Sequence, residues 1–583
     1  MKYSVRIVAC LILAGASWAC QQSGPAEPAP SHIFHTGRIV TVDPQFRVVE
    51  AMALRDGRVV AVGTTSDIRA MAASDTEQVD LGGRTVLPGL MDSHVHAPGA
   101  SMYEFEQPVP DMETIDDVLA HFRARAEATP PGEWITLSQV FITRLREQRY
   151  PTRAELDRVA PKHPVAFRTG PDASLNSMAL ALSKIDANFR VPEGQPCRVE
   201  RDPSGRPTGI LRNCGSLIRS GGRGARPTDA DRLSRLKQLL ADYNSVGITS
   251  IVDANANSGG IELYQQLLQQ NELTTRTYLA HGIDAQAPLE KIEAQLREIA
   301  AHPLHQYSEM LWLRGVKAFM DGGMLTGSAY MRQPWGVSKI YAIDDPTYRG
   351  VRFIEPEKLY QIAKLALAND LQFTAHSQGD AAVDAMVEAY ARINRDDFPV
   401  RDRRPSITHS SFMSPEAIAT MKEIGVVANL QPAWLYLDGM TLRQQFGVDR
   451  LAYFHPYRTL AEEGVTVGGG SDHMQKIGSL RSINPYNPFL GMWTTLTRLP
   501  KGSPEPLRPE QNLSREQAIR LYTINNAFIT FEETRKGSLE PGKFADFIVI
   551  DRDILSCPVD EVKDIQVEET WLGGRRVYAR PKS

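Results

Sequence analysis

The chain has 583 residues, 42% of them hydrophobic and 23% charged, enough for a large buried core and unlike a disordered polypeptide. Its formal net charge is −4, and its Lys and Arg are scattered rather than gathered into a basic stripe, which argues against a nucleic-acid partner and a polyanionic substrate.

Residues 1–19 read as an export signal: Lys2 and Arg6 precede an apolar core from Ile7 to Ala16. That core is too short to remain as a membrane span, which needs roughly 20 apolar residues. Ala19-Cys20 followed by Gln21-Gln22-Ser23-Gly24-Pro25 resembles a bacterial lipoprotein junction, with Ser17 standing where such leaders usually carry Leu. The expectation is lipidation at Cys20, a tether over 20–31, and a protein held on the periplasmic side of a bacterial membrane through that lipid. A soluble periplasmic protein is the alternative.

Residues 32–85 alternate short apolar runs with turns, and Asp56-Gly57 between two such runs predicts a hairpin. Residues 535–580 carry similar runs, so the two chain ends are expected to build one small β-sandwich domain. Between them, over 86–534, strand-like and helical runs alternate as a parallel α/β fold requires. Strands are predicted to end near His96, Asp253, Gly282, Met320, His376, His409, Leu430 and Asp472. Eight such strands suit a (β/α)8 TIM-like barrel. Residues 97–241 are too many for one crossover and imply an inserted subdomain after the first barrel strand, with strands of its own at Trp134–Val140 and Pro164–Arg168. After His376, the residues Val383, Met386, Val387, Tyr390 and Ile393 form the apolar stripe of a helix packed on the sheet.

The strand ends carry the chemistry. In Leu90-Met91-Asp92-Ser93-His94-Val95-His96 both imidazoles point to one face of a strand and can reach one ion. Lys317, His376, His409 and Asp472 complete a ligand set spread over barrel strands. Taken singly, each has an ordinary explanation: a core histidine, a surface amine, a turn aspartate. Their order along the barrel favours a metal site. No Cys-x-x-Cys occurs, which argues against a thiolate site. In an oxidising compartment Cys197 and Cys214 could pair, leaving Cys557; unpaired buried thiols are the alternative.

His94-Val95-His96, Val316-Lys317 with Asp321-Gly322, His376 with Gly379-Asp380, His409, Gln431-Pro432 and Gly470-Ser471-Asp472 resemble the amidohydrolase superfamily, in its N-substituted formamide deformylase-like branch (amidohydrolase family 3). The likeness runs from about Phe34 to Val577 and includes Thr523-Ile524-Asn525-Asn526-Ala527 and Gly537-Ser538-Leu539-Glu540-Pro541-Gly542-Lys543-Phe544-Ala545-Asp546. It implies a barrel holding one or two divalent ions, usually Zn2+, with a metal-activated hydroxide attacking an amide-like carbon. By motif, His94, His96 and Asp472 would hold one ion and His376 and His409 the second, with Lys317 as a carboxylated bridge. Asp472 would also move the proton from water to the leaving nitrogen.

The resulting expectation is a metal-dependent hydrolase of non-peptide C–N bonds, acting on an amide, formamide, N-acyl amino acid or cyclic amide. A single-metal heterocycle deaminase and a non-catalytic binding protein on the same fold are the rivals. The chain departs from its relatives at Pro171-Asp172-Ala173-Ser174-Leu175, where a His is usual before Asn-Ser, at Gly323-Met324-Leu325, and at His473. Asp321, His281, Trp434 and His473 are the candidate substrate contacts, with Asp321 and Asp380 open between supporting the metal ligands and shaping turns. Trp335 and Trp493 join Trp434 as candidates for an apolar pocket, against ordinary packing. The partner is a small molecule, and self-association is left open.

Overall fold

The computed structural model describes residues 28–581 apart from 107, 171, 194, 196 and 220–226, so the expected export signal over 1–19, Cys20 and Pro171 lie outside the described residues. Its centre is an eight-stranded parallel sheet: β1 (Leu90–Val95), β2 (Ile248–Ala256), β3 (Arg276–Gly282), β4 (Leu311–Phe319), β5 (Gln372–Ser377), β6 (Ser406–His409), β7 (Val427–Leu430) and β8 (Val467–Gly469), in that spatial order. Each strand ends within three residues of its expected position. Apart from a few residues such as Arg314 and His376 these strands are buried, which is why they read as near-continuous apolar runs. The helix after β5 spans Asp380–Asp396 and buries the expected stripe of Val383, Met386, Val387, Tyr390 and Ile393.

The barrel closes between β8 and β1 through only a few main-chain bonds. Asp472 N–H donates to the His94 carbonyl and His96 N–H to the His473 carbonyl, each at 2.8 Å. Side chains supply the rest. Asp92 Oδ1 accepts the N–H groups of His94 and Ser471, both at 3.0 Å, and Asn526 Nδ2 donates to the carbonyls of Met91 and Gly469 at 2.7 and 2.9 Å. Gly470 permits this approach, since a Cβ there would lie 2.9 Å from the His94 nitrogen.

Both chain ends fold together beside the barrel as two sheets. One orders Arg58–Gly63, Ala51–Arg55, His32–His35 and Glu77–Asp80; the other orders Arg575–Ala579, Val567–Leu572, Phe547–Ile550, Thr85–Pro88, Arg38–Val40 and Val48–Val49. Phe34, Phe547 and Trp571 meet between them with ring centroids 5.0–5.5 Å apart. The Asp56-Gly57 hairpin forms as expected; both residues take positive φ (51° and 74°), as a two-residue hairpin turn of this kind demands. Arg276 of β3 and Asp546 form a buried ion pair at 2.6 Å that pins this domain to the barrel.

The insertion carries a five-stranded sheet in the order Arg198–Arg201, Pro207–Arg212, Asp172–Leu175, Val165–Thr169 and Ile135–Ser138. Its last two members are the strands expected in this segment. Cys197 and Cys214 form a disulfide, and Cys557 is free, which closes the alternative left open above. Among the described residues no helix is long and apolar enough to cross a membrane.

Candidate metal centre

Parallel barrel strands deliver their C-terminal residues to one mouth, and six of the expected ligands arrive there. His94, His96, Lys317, His376, His409 and Asp472 all line one cleft of about 1150 Å³. The imidazoles form a connected arc, with ring centroids 5.1 Å apart for His94 and His96, 5.0 Å for His94 and His409, and 4.5 Å for His409 and His376.

The tightest donor set is His94, His96 and Asp472. Nε2 of His94 and of His96 lie 3.3 and 3.2 Å from Asp472 Oδ1. Two of these atoms, His94 Nε2 and Asp472 Oδ1, are buried yet make no hydrogen bond. Unpaired buried polar atoms are costly, so a convergent pair asks for a partner between them. Ligands about 2.0–2.1 Å from a tetrahedral zinc ion lie about 3.3–3.4 Å from each other, close to the spacing observed. The donor set therefore fits a divalent ion.

Protonation agrees. Burial pushes the His94 imidazole down to about 3, Lys317 adding to the effect against the pull of Asp472, so at neutral pH the ring is neutral and Nε2 offers a lone pair. Burial, reinforced by His376 and Lys317, holds His409 well below its ordinary value. Burial pushes the Asp472 carboxyl up, but His94, His96 and His409 together outweigh it and keep it ionised. Lys317 is 1% exposed, and burial pulls its amine down to about 7 against the opposing charge of Asp472. A cation in that position is disfavoured.

A second layer aims the rings. His376 Nδ1 donates to Asp321 Oδ1 at 3.0 Å, leaving Nε2 free, and Asp321 is itself fixed by the N–H groups of Gln378, Gly379 and Tyr330 at 2.9–3.0 Å. His409 Nδ1 donates to Gln431 Oε1 at 2.8 Å, and Gln431 Nε2 donates to Asn429 Oδ1 at 3.0 Å. Asp321 thus supports a ligand, although it also borders the cleft. Gln431 follows β7 and is the N-cap of the helix that starts at Pro432; in the sequence it is marked only by the Gln431-Pro432 motif, which does not reveal its hold on His409.

Other candidates are redistributed. Trp434 lines the cleft and packs on His409 with centroids 4.6 Å apart. His473 is a correction: it is 0% exposed, Tyr243 Oη donates to its Nδ1 at 2.7 Å, and its Nε2 donates to the carbonyls of Gln475 and Lys476 at 2.9 and 2.7 Å. With both nitrogens engaged beneath the cleft it braces the β8 loop and has no donor or acceptor for a substrate. His281 is half-buried with Nδ1 on the Gly282 carbonyl at 2.8 Å, and does not border the cleft. Asp380 accepts the Arg332 N–H at 2.7 Å and opens its helix, a turn role. Trp335 and Trp493 are packing residues, bonded to the Ala329 carbonyl at 2.8 Å and to Asp560 at 3.3 Å.

Imidazole and carboxylate donors at the mouth of such a barrel, with room for a small molecule above them, define a metal-dependent hydrolase. The chain belongs to the amidohydrolase family, whose profile matches residues 77–578. It is 29% identical over 557 residues to the N-substituted formamide deformylase of Arthrobacter pascens, covering 93% of this chain and 97% of the relative. An uncharacterized metal-dependent hydrolase from Pyrococcus horikoshii superposes with a TM-score of 0.65 at 21% identity, over 91% of this chain and 99% of its own. An adenosine deaminase from Xanthomonas campestris with bound zinc superposes at 0.52 and 16% identity, over 94% and 93%. The protein is accordingly a metal-dependent hydrolase acting on C–N bonds.

Proposed function

We propose that this chain is an exported amidohydrolase with two divalent ions, zinc first among them, that cleaves an amide, formamide, N-acyl amino acid or cyclic amide. The observation that carries the reading is the convergence of His94, His96 and Asp472 on one point, with Lys317, His376 and His409 around the same cleft. His94, His96 and Asp472 would hold one ion and His376 and His409 the other, with Lys317 as its carbamate between them.

Ions bound there supply Lewis acidity, which polarises a carbonyl and brings the pKa of a water toward neutrality. The residues do the remainder. Asp472, ionised in its buried setting, accepts a proton at its carboxylate and returns it to the departing nitrogen. Asp321 and Gln431 hold His376 and His409 in the tautomer that presents Nε2 to the cleft. A Lys317 amine shifted to about 7 is substantially neutral, the form that adds carbon dioxide, and carboxylation turns it into an anionic oxygen donor. Trp434, Phe141, Leu325 and Phe353 offer apolar surface to an acyl or aryl group.

The test combines metal analysis of the purified protein with hydrolysis of a panel of formamides, N-acyl amino acids, cyclic amides and aminated heterocycles. Turnover confined to heterocycles with one ion bound would replace this reading with a deaminase. No turnover with metal in place would leave a binding protein.

A further inference from the structure

Among the described residues lining the cleft, Lys317 and Arg168 are the only lysine or arginine. Lys317 lies at the metal centre; Arg168 comes from the inserted subdomain. Its backbone is paired on both sides, with Ser138 in parallel and Ala173 in antiparallel register, so the side chain projects from the middle of a sheet. Phe167 and Thr169 beside it are buried, whereas Arg168 is half-buried and faces the cleft.

Neighbouring arginines of the insertion are used structurally. Arg212 holds Asp172 and Glu200, Arg149 holds Glu155, and Arg144 holds Asp438. The Arg168 guanidinium has no such partner among the described residues. A guanidinium cannot shed its charge, so one that faces the cleft without a protein counter-ion leaves its donors open to an anion there. Its place is prepared as well: a Cβ on Gly215 would lie 2.9 Å from Arg168 Nη2, so the guanidinium rests against a bare glycine. Gly215 opens the short turn Gly215–Leu217, directly after Cys214 of the Cys197–Cys214 disulfide, and Gln195 and Ser216 from the two stapled arms border the same cleft.

We propose that Arg168 is a specificity-determining residue that binds a carboxylate carried by the substrate. The preferred substrates are then amides bearing a free carboxylate, the N-acyl amino acid class, over neutral formamides and cyclic amides. The planar fork of arginine suits two parallel hydrogen bonds to a carboxylate. This rests on the amidohydrolase reading above and selects among its substrates.

The test compares N-acetylphenylalanine, of either hand, with its neutral carboxamide on the metal-loaded mature protein. The acid should be preferred at least tenfold in kcat/KM. Arg168→Met should lower that preference at least tenfold, chiefly through KM, while Arg168→Lys retains part of it. Gly215→Ala, which displaces the guanidinium without removing it, should move the preference in the same direction. A wild type without preference for the acid, or Arg168→Met lowering both substrates equally, would overturn the proposal. Absence of turnover throughout the wider panel counts against the amidohydrolase reading alone. In that case calorimetric titration with N-acetylphenylalanine decides the role of Arg168: a Kd at least tenfold weaker in Arg168→Met supports it, and an unchanged Kd overturns it.

Discussion

The main-chain N–H of Asp472 donates to the carbonyl of His94 at 2.8 Å, so one of the bonds that close the barrel joins two of the residues that converge on the candidate metal position. Closure and ligand placement are the same event. Asp472 takes a φ of 55°, and His409 one of 77°, in the left-handed region that side chains usually avoid. Such strain costs on the order of 1–3 kcal/mol per residue and persists only where surrounding structure enforces it. Here it turns both side chains toward the mouth.

Lys317 is buried, depressed in pKa and grouped with the histidines, which leads to a two-metal prediction. Purified protein should hold close to two equivalents of zinc or a similar ion. Lys317→Ala should lose metal and activity together, by more than the roughly 10–100-fold typical of an outer-shell partner. An active preparation holding one ion beside an unmodified Lys317, shown by metal analysis and mass spectrometry, would remove the bridge.

Asp472→Asn keeps the size of the side chain and leaves untouched the main-chain bonds that close the barrel. The variant should stay folded by circular dichroism while kcat falls by at least the roughly 10²–10⁴-fold associated with general acid–base groups. Near-normal turnover would take the carboxylate out of the mechanism.

Asp321, which borders the cleft, grips His376 and three main-chain N–H groups. Asp321→Asn substitutes an amide that cannot accept all of these bonds. Metal affinity, read by competition with a chelator, should weaken about 10–100-fold. Unchanged affinity would mean that His376 is aimed by other contacts.

His473 separates bracing from specificity. His473→Ala strands the Tyr243 hydroxyl and the Lys476 carbonyl, while the Gln475 carbonyl keeps the Ser482 hydroxyl, which should cost on the order of 1–3 kcal/mol for each group left unsatisfied. A lower denaturant midpoint at unchanged slope would record it. Ratios of kcat/KM across the substrate panel should stay as in the wild type, and a changed ratio would return His473 to the substrate contacts.

The leader reading yields a separate test. Mature protein should begin at a lipid-modified Cys20 and partition with membranes, while Cys20→Ser should be released into the soluble periplasmic fraction. Mass spectrometry showing an unmodified mature N-terminus elsewhere would discard the anchor.

Much of the architecture was legible in the chain because its signals are local. A strand buried on both faces must be apolar throughout, a helix lying on a sheet must repeat its apolar residues, and Asp56-Gly57 suits a turn few other pairs can make. The six ligand candidates were legible because metal donors belong to few residue types, set at the ends of such strands. The roles of their neighbours were decided by the tertiary structure. Nothing within a few residues of His473 shows that Tyr243, 230 positions away, donates to its ring, or that Asp321 reaches across 55 positions to His376. The pairing of Cys197 with Cys214, the packing fates of Trp335 and Trp493, and the placing of Arg168 on the cleft depend likewise on which segments the fold brings together. Residue type limits what a side chain can do; its partners, set by long-range packing, decide whether it holds a metal, braces a loop or meets a substrate.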